Sequence, residues 1–219
     1  GALYMVKQKN AVIIERLGKF NKVSKAGLHI KIPLIDSISG KINLRVRELP
    51  VEVETKTKDD VFVKIVVSVQ FYVIDTVDGI RDSFYELNNP EQQIQSYVFD
   101  SIRSEVPLME LDDVFAQKEK IAIAIKNELS DTMKQFGFDF IKALVTDIDP
   151  DAKVKQSMNE INAAKRMKEA AREEAAAAKI RVVAAAEADS ESKRLAGEGI
   201  AKQRIAIANG LKESVEEVK

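Results

Sequence analysis

The sequence predicts an α+β head followed by a long helical stalk, and three observations carry that reading. Val61, Val63, Ile65, Val67, Val69, Phe71 and Val73 alternate with other residues, the longest period-two run in the chain and the signature of a central strand. From Asp75 the apolar spacing becomes helical, and it returns to strand only after Gly137. After Pro150 no glycine or proline occurs until Gly197, and that segment is rich in Ala, Glu, Lys and Arg. Strands followed by helices and then a strand imply helices packed on one face of an antiparallel sheet.

The N-terminal third reads as short strands. Residues 11–15 form an apolar strand, and Leu17-Gly18-Lys19 marks a turn. The run from Leu28 to Ile38 is apolar but broken by Pro33, so it is either core or an exposed wedge. Residues 41–49 alternate, with Ile42, Leu44 and Val46 on one face and Lys41, Asn43, Arg45 and Arg47 on the other, as in a half-buried strand. Residues 51–54 and 61–73 form a hairpin around the polar turn at residues 56–60.

Helices follow. Asn89-Pro90-Glu91 supplies a cap, a first-turn proline and a first-turn acid for a helix with Ile94, Val98 and Ile102 inward. Asp112 or Asp113 opens the next, which buries Phe115, Ala122, Ile125, Leu129, Met133 and Phe136 and ends at Gly137. Residues 138–148 return to strand.

The stalk opens at Asp149-Pro150-Asp151, with Asp149 as N-cap, Pro150 in the first turn and Asp151 set against the helix dipole. At about 1.5 Å per residue a rod from there to Gly197 is roughly 70 Å long, well beyond an ordinary globular helix. Ala164, Met167, Ala171, Ala175, Ala178, Val182 and Ala186 are spaced 3, 4, 4, 3, 4, 4, an 11-residue rhythm that keeps one stripe facing a neighbour along a nearly straight helix. Two readings fit: a solvated helix or simple dimer, or lateral association of many copies through this stripe. Gly197 and Gly199 predict a hinge, after which residues 200–209 form a short separate helix closed by Gly210. The predicted layout is a membrane-proximal remnant at 1–9, subdomains at 10–49 and 50–149, a stalk at 150–197, and a short helix and tail at 198–219.

Composition narrows the chemistry. The absence of cysteine removes disulfides, thiol nucleophiles and Cys-ligated zinc, and the single histidine, His29, cannot build a His-rich metal site. No nucleophile elbow or phosphate loop surrounds a serine or glycine. Asp147, Asp149 and Asp151 alternate like a calcium loop, but Ala152 stands where glycine is needed and Met158 where the closing acid belongs. No catalytic residue, metal or cofactor is therefore assigned, and nucleic acid is not expected as a partner because no basic face carries interleaved aromatics.

Charge is nearly balanced at −1 overall, yet residues 1–49 hold ten Lys/Arg against Glu15, Asp36 and Glu48, a surplus of seven. That asymmetry points one end at an anionic surface such as lipid headgroups. Lys7, Lys9, Ile30, Ile32, Leu34 and Ile35 are the candidate membrane-proximal residues. No stretch is long and apolar enough to span a bilayer. The start at Gly1-Ala-Leu-Tyr-Met-Val6 reads as a cut in or after a longer hydrophobic N-terminus, so membrane attachment through an anchor missing from this chain is expected.

Ile14-Glu-Arg-Leu-Gly-Lys-Phe20, Glu54-Thr-Lys-Thr-Lys-Asp-Asp-Val-Phe-Val63, Tyr97-Val-Phe-Asp-Ser-Ile-Arg103, Leu111-Asp-Asp-Val-Phe115 and Met158-Asn-Glu-Ile-Asn-Ala-Ala164 together resemble the SPFH (band 7) superfamily of stomatins, prohibitins and flotillins. Within it the similarity is closest to hypersensitive-induced response proteins. The resemblance implies a membrane-attached head and helical stalk, with many copies assembled into rings or cages that corral lipids and membrane proteins. It also implies a membrane-bound AAA protease as a candidate partner, and it carries over no catalytic residue. The chain departs from plant members of this branch, which attach through an N-terminal glycine and nearby cysteines, and its C-terminal end is shorter than theirs. The expected function is a non-enzymatic membrane scaffold that binds itself and lipid; the rival is an adaptor acting on one partner through a small coiled coil.

Overall fold

The structure is a computed structural model that describes residues 1–217. Residues 1–155 form one compact unit and residues 156–219 a second. The first unit is built from three antiparallel sheets. Strand β1 (Ala2–Val6) pairs with β4 (Gly27–Lys31); β2 (Asn10–Arg16) lies between β3 (Lys19–Ser24) and β5 (Asp36–Asn43); and β7 (Phe62–Val73) lies between β6 (Arg47–Lys56) and β8 (Phe138–Pro150). The alternating run is thus the middle strand, and Val63, Ile65, Val67, Val69, Phe71 and Val73 are all 3% exposed or less. Val61 falls just outside β7 and is only half-buried.

The helices are α1 (Val77–Tyr85), α2 (Pro90–Glu105), α3 (Leu111–Ala116), α4 (Lys118–Met133) and α5 (Ala152–Glu216). Asn89 caps α2 as expected, its side chain accepting from the Gln92 N–H, with Ile94, Val98 and Ile102 buried. Helix α4 packs on β8 and α2, while α1 touches β3, β5 and β7 and so links two of the sheets. The ring of Phe84 lies directly over Gly40, leaving no room for a Cβ there. Beside it the Tyr85 hydroxyl donates to Glu15 Oε1 at 2.5 Å. Burial, together with that carboxylate, pushes the Tyr85 hydroxyl up to about 12, and Glu15 is lowered in return by the bonds from Tyr85 and Ser39.

Several boundaries differ from the sequence reading. Residues 41–49 are not one strand: Asn43 Oδ1 accepts from the Arg45 N–H at 3.0 Å and the Leu44 N–H donates to Lys9 O, so the chain turns here between β5 and β6. The helix expected from Asp112 or Asp113 to Phe136 is two, broken at Gln117, and Phe115 and Phe136 are only partly buried. Gly137 does end the segment, with φ of 80°. A Cβ there would stand 2.0 Å from Gly79 O.

The long helix is capped by Asp151 rather than Asp149. Asp149 and Pro150 remain paired with Lys64 and Val63 of β7, and only after the Asp151 N–H bonds Phe62 O does the backbone leave the sheet. Asp151 Oδ1 then accepts from the Lys153 N–H at 3.0 Å. The hinge at Gly197 and Gly199 is absent, because α5 is unbroken through both, and it continues past Gly210. Two interior glycines cost about 2 kcal/mol, whereas ending the helix and nucleating another costs about 4 kcal/mol, so continuation wins.

Candidate membrane-docking face and assembly helix

The β1–β4 ribbon has two unlike faces. Its register places Leu3 opposite Ile30 and Met5 opposite Leu28, and directly paired antiparallel residues project to the same side. All four are more than 60% exposed. The other face is fastened to the head: Tyr4 stacks on His29 with ring centroids 5.5 Å apart, its hydroxyl shares a 2.5 Å hydrogen bond with Ser24 Oγ, and Val6 is buried with Val12 and Ile14. His29 Nε2 donates to Lys25 O at 2.6 Å, closing the loop that leads into β4.

Beyond β4 the chain turns at residues 33–35, and here the apolar run proves to be an exposed wedge. Leu34 stands fully in solvent with φ of 74°, and Ile32 and Ile35 are exposed beside it. Asp36 builds this turn from below. Its Oδ2 accepts from the Ile32 N–H at 3.0 Å, its own N–H donates to Ile32 O, and Arg16 Nε donates to Oδ1 at 2.8 Å. The Arg16 guanidinium, then the Ile32 amide, hold the Asp36 carboxyl below its usual range. The Leu17 N–H donates to Ile35 O at 3.1 Å, which brings exposed Leu17 to the same tip.

The predicted residues Ile30, Ile32, Leu34 and Ile35 therefore fall on the ribbon and its adjoining tip. Lys7 and Lys9 sit exposed in the turn after β1 and form no ion pair among the described residues. Leu3, Met5 and Leu17 were not picked out by sequence reasoning, which reached Leu28 only as the start of the apolar run. The alternation of Leu3 and Met5 was visible, but only pairing with β4 shows that it extends the same face.

Helix α5 has no buried residue among those described. Met167 and Val182 are 75% and 69% exposed, and Ala164, Ala171, Ala175, Ala178 and Ala186 are exposed as well. At 3.6 residues per turn, Val182 and Ile200 are about five turns apart and share one side of the helix. Ile207 and Leu211 lie on that side too, so the stripe continues beyond Ala186 in larger residues that sequence reasoning missed. Asp189 and Lys193 interrupt it, paired with each other at 2.7 Å. Among the described residues no helix is long and apolar enough to cross a membrane.

The class is an antiparallel α+β unit with an exposed apolar tip, followed by a long helix with no buried residue among those described. The chain belongs to the SPFH domain / Band 7 family, whose model matches residues 4–179. It is 42% identical over 211 residues to hypersensitive-induced response protein 4 of Arabidopsis thaliana, covering 96% of this chain and 72% of that protein. It is 27% identical over 165 residues to the mitochondrial stomatin-like protein 2 of Homo sapiens, covering 74% of this chain and 45% of the relative. A stomatin-like protein of Caenorhabditis elegans is 29% identical over 166 residues, 74% of this chain and 49% of the relative.

Proposed function

We propose that this chain is a non-enzymatic membrane scaffold. The β1–β4 face and the tip at Leu34 dock on an anionic leaflet, and copies associate laterally through α5 into rings or cages that organise lipids and membrane proteins. The observation that carries this reading is the presence of two exposed apolar surfaces, one on the β1–β4 ribbon and its tip and one along a helix with no buried residue among those described. Water penalises apolar area at about 25 cal/mol per Å², so each surface favours a partner. Each basic side chain near an anionic leaflet adds about 1 kcal/mol, which makes docking salt-sensitive.

The association is expected to be parallel. A ring requires each helix to meet neighbours on two sides through a head-to-tail contact that closes. Ala163, Ala170, Ala177, Ala184 and Ala185 offer small residues for a second face. The test places the full chain, labelled with donor or acceptor dyes, on vesicles of neutral or anionic lipid. Binding that depends on anionic lipid, with energy transfer between copies on the vesicle, is the expected result. Equal recovery on both lipids, or binding without transfer, contradicts it.

A further inference from the structure

The head also carries a concave surface, built from elements other than the ribbon and tip. Helix α4 runs beside β8, and between them is a groove of about 440 Å³ lined by Ala122, Ile123 and residues 141–145, with Lys118, Lys126 and Lys142 around it. Glu119 is the one acid in the lining, so the groove carries a surplus of positive charge. Strand β8 pairs only with β7, so among the described residues its other edge meets no strand.

We infer that this groove docks an extended acidic segment of a partner protein, added as a further strand on the edge of β8. Two bulges frame the available edge. The register with β7 skips Ile141 and skips Thr146, leaving an unbroken stretch at residues 142–145 between them. A bulge at a sheet edge re-aims a side chain, and Ile141 is 50% exposed as a result, facing the groove together with Ile123 of α4, which is 62% exposed. A strand laid along β8 obtains main-chain hydrogen bonds from the free edge, while alternate side chains reach the apolar floor and the others meet the lysines. This combination selects an acidic, alternating peptide and disfavours a basic one.

Lysine and bulges also serve to blunt an edge against self-pairing. That role requires no concave surface and no exposed isoleucines on both walls, so the two roles separate by experiment. A fluorescent peptide alternating glutamate and valine is titrated with the full chain, beside a lysine–valine counterpart and a version N-methylated on alternate amides. The acidic peptide is expected to bind about tenfold or more tightly than the lysine peptide, since like charges facing each other across a contact repel. N-methylation of the paired edge abolishes binding, and the double variant K126E/K142E exchanges the preference. If that double variant loses its folded circular dichroism signal, K126E alone carries the same test. No binding up to about millimolar concentration, or the same affinity for acidic and basic peptides, overturns the assignment. Binding that vanishes as the chain concentration rises, because a second copy fills the groove, overturns it too.

Discussion

Strand β7 and helix α5 use similar residues and meet opposite fates. Val63, Ile65, Val67, Val69, Phe71 and Val73 of β7 are 3% exposed or less, whereas Val182, Ile200, Ile207 and Leu211 of α5 are 52–69% exposed. In β7 the alternation matches the pleat, and β6, β8 and the helices cover it within one chain. In α5 the apolar residues lie on a helix that this chain does not cover. The head buries its apolar residues within its own chain, whereas on the proposed reading α5 buries its stripe only against other copies. Helical propensity keeps it formed, and on that reading its burial comes from neighbours.

Substitutions in the two regions should behave accordingly. The largest effect is expected from Phe71→Ala, which empties the space between Phe138 and Phe140 and removes the ring under Arg47. A loss of about 3–5 kcal/mol in urea unfolding of the head is expected. The matching truncation Val182→Ala should leave that transition unchanged, and a comparable loss from it would mean that α5 packs within its own chain.

Glycines sharpen the contrast. Gly137→Ala forces a side chain onto positive φ and against the carbonyl of Gly79, so a loss of about 1–3 kcal/mol or more is expected in the same measurement. Nothing lies within 4 Å of a Cβ at Gly197 or Gly199. Alanine at either should raise helix stability by about 1 kcal/mol, read as helicity on heating. A decrease would revive the hinge that the unbroken helix argues against.

The smallest effect concerns the wedge. Because the folded Asp36 carboxyl is held below its ordinary value, its contribution is present above the usual carboxylate range and is lost as pH falls through the lowered value. Asp36→Asn should therefore destabilise the head at neutral pH, with the difference from the parent closing in acid. A gap that stays constant with pH would show that the carboxylate is not what holds the turn at Leu34.

The β7 run, the Asn89 cap and the Gly137 stop were legible in the sequence because each is a local signal. The Leu28–Ile38 run was ambiguous, since the turn at Leu34 is held by Asp36 meeting Arg16 on the neighbouring strand, 20 residues away in sequence. Leu3 and Met5 needed the β1–β4 register, which no local pattern gives. Reading Gly197 and Gly199 as a hinge counted the cost of the two glycines but left out the cooperativity of a 65-residue helix. Asp149 reads as the cap in the sequence because nothing local shows that β8 continues to Pro150.

The most direct test of the central claim is the mass of the full chain and of A171E/A178E by size exclusion with light scattering, beside circular dichroism. The parent should be many times larger than the 24.4 kDa chain. The variant should be reduced to small species, with the head's unfolding transition intact, because neither position is buried in the chain. A variant that keeps the parent's mass, or a parent that runs as a single chain, would contradict assembly through this stripe.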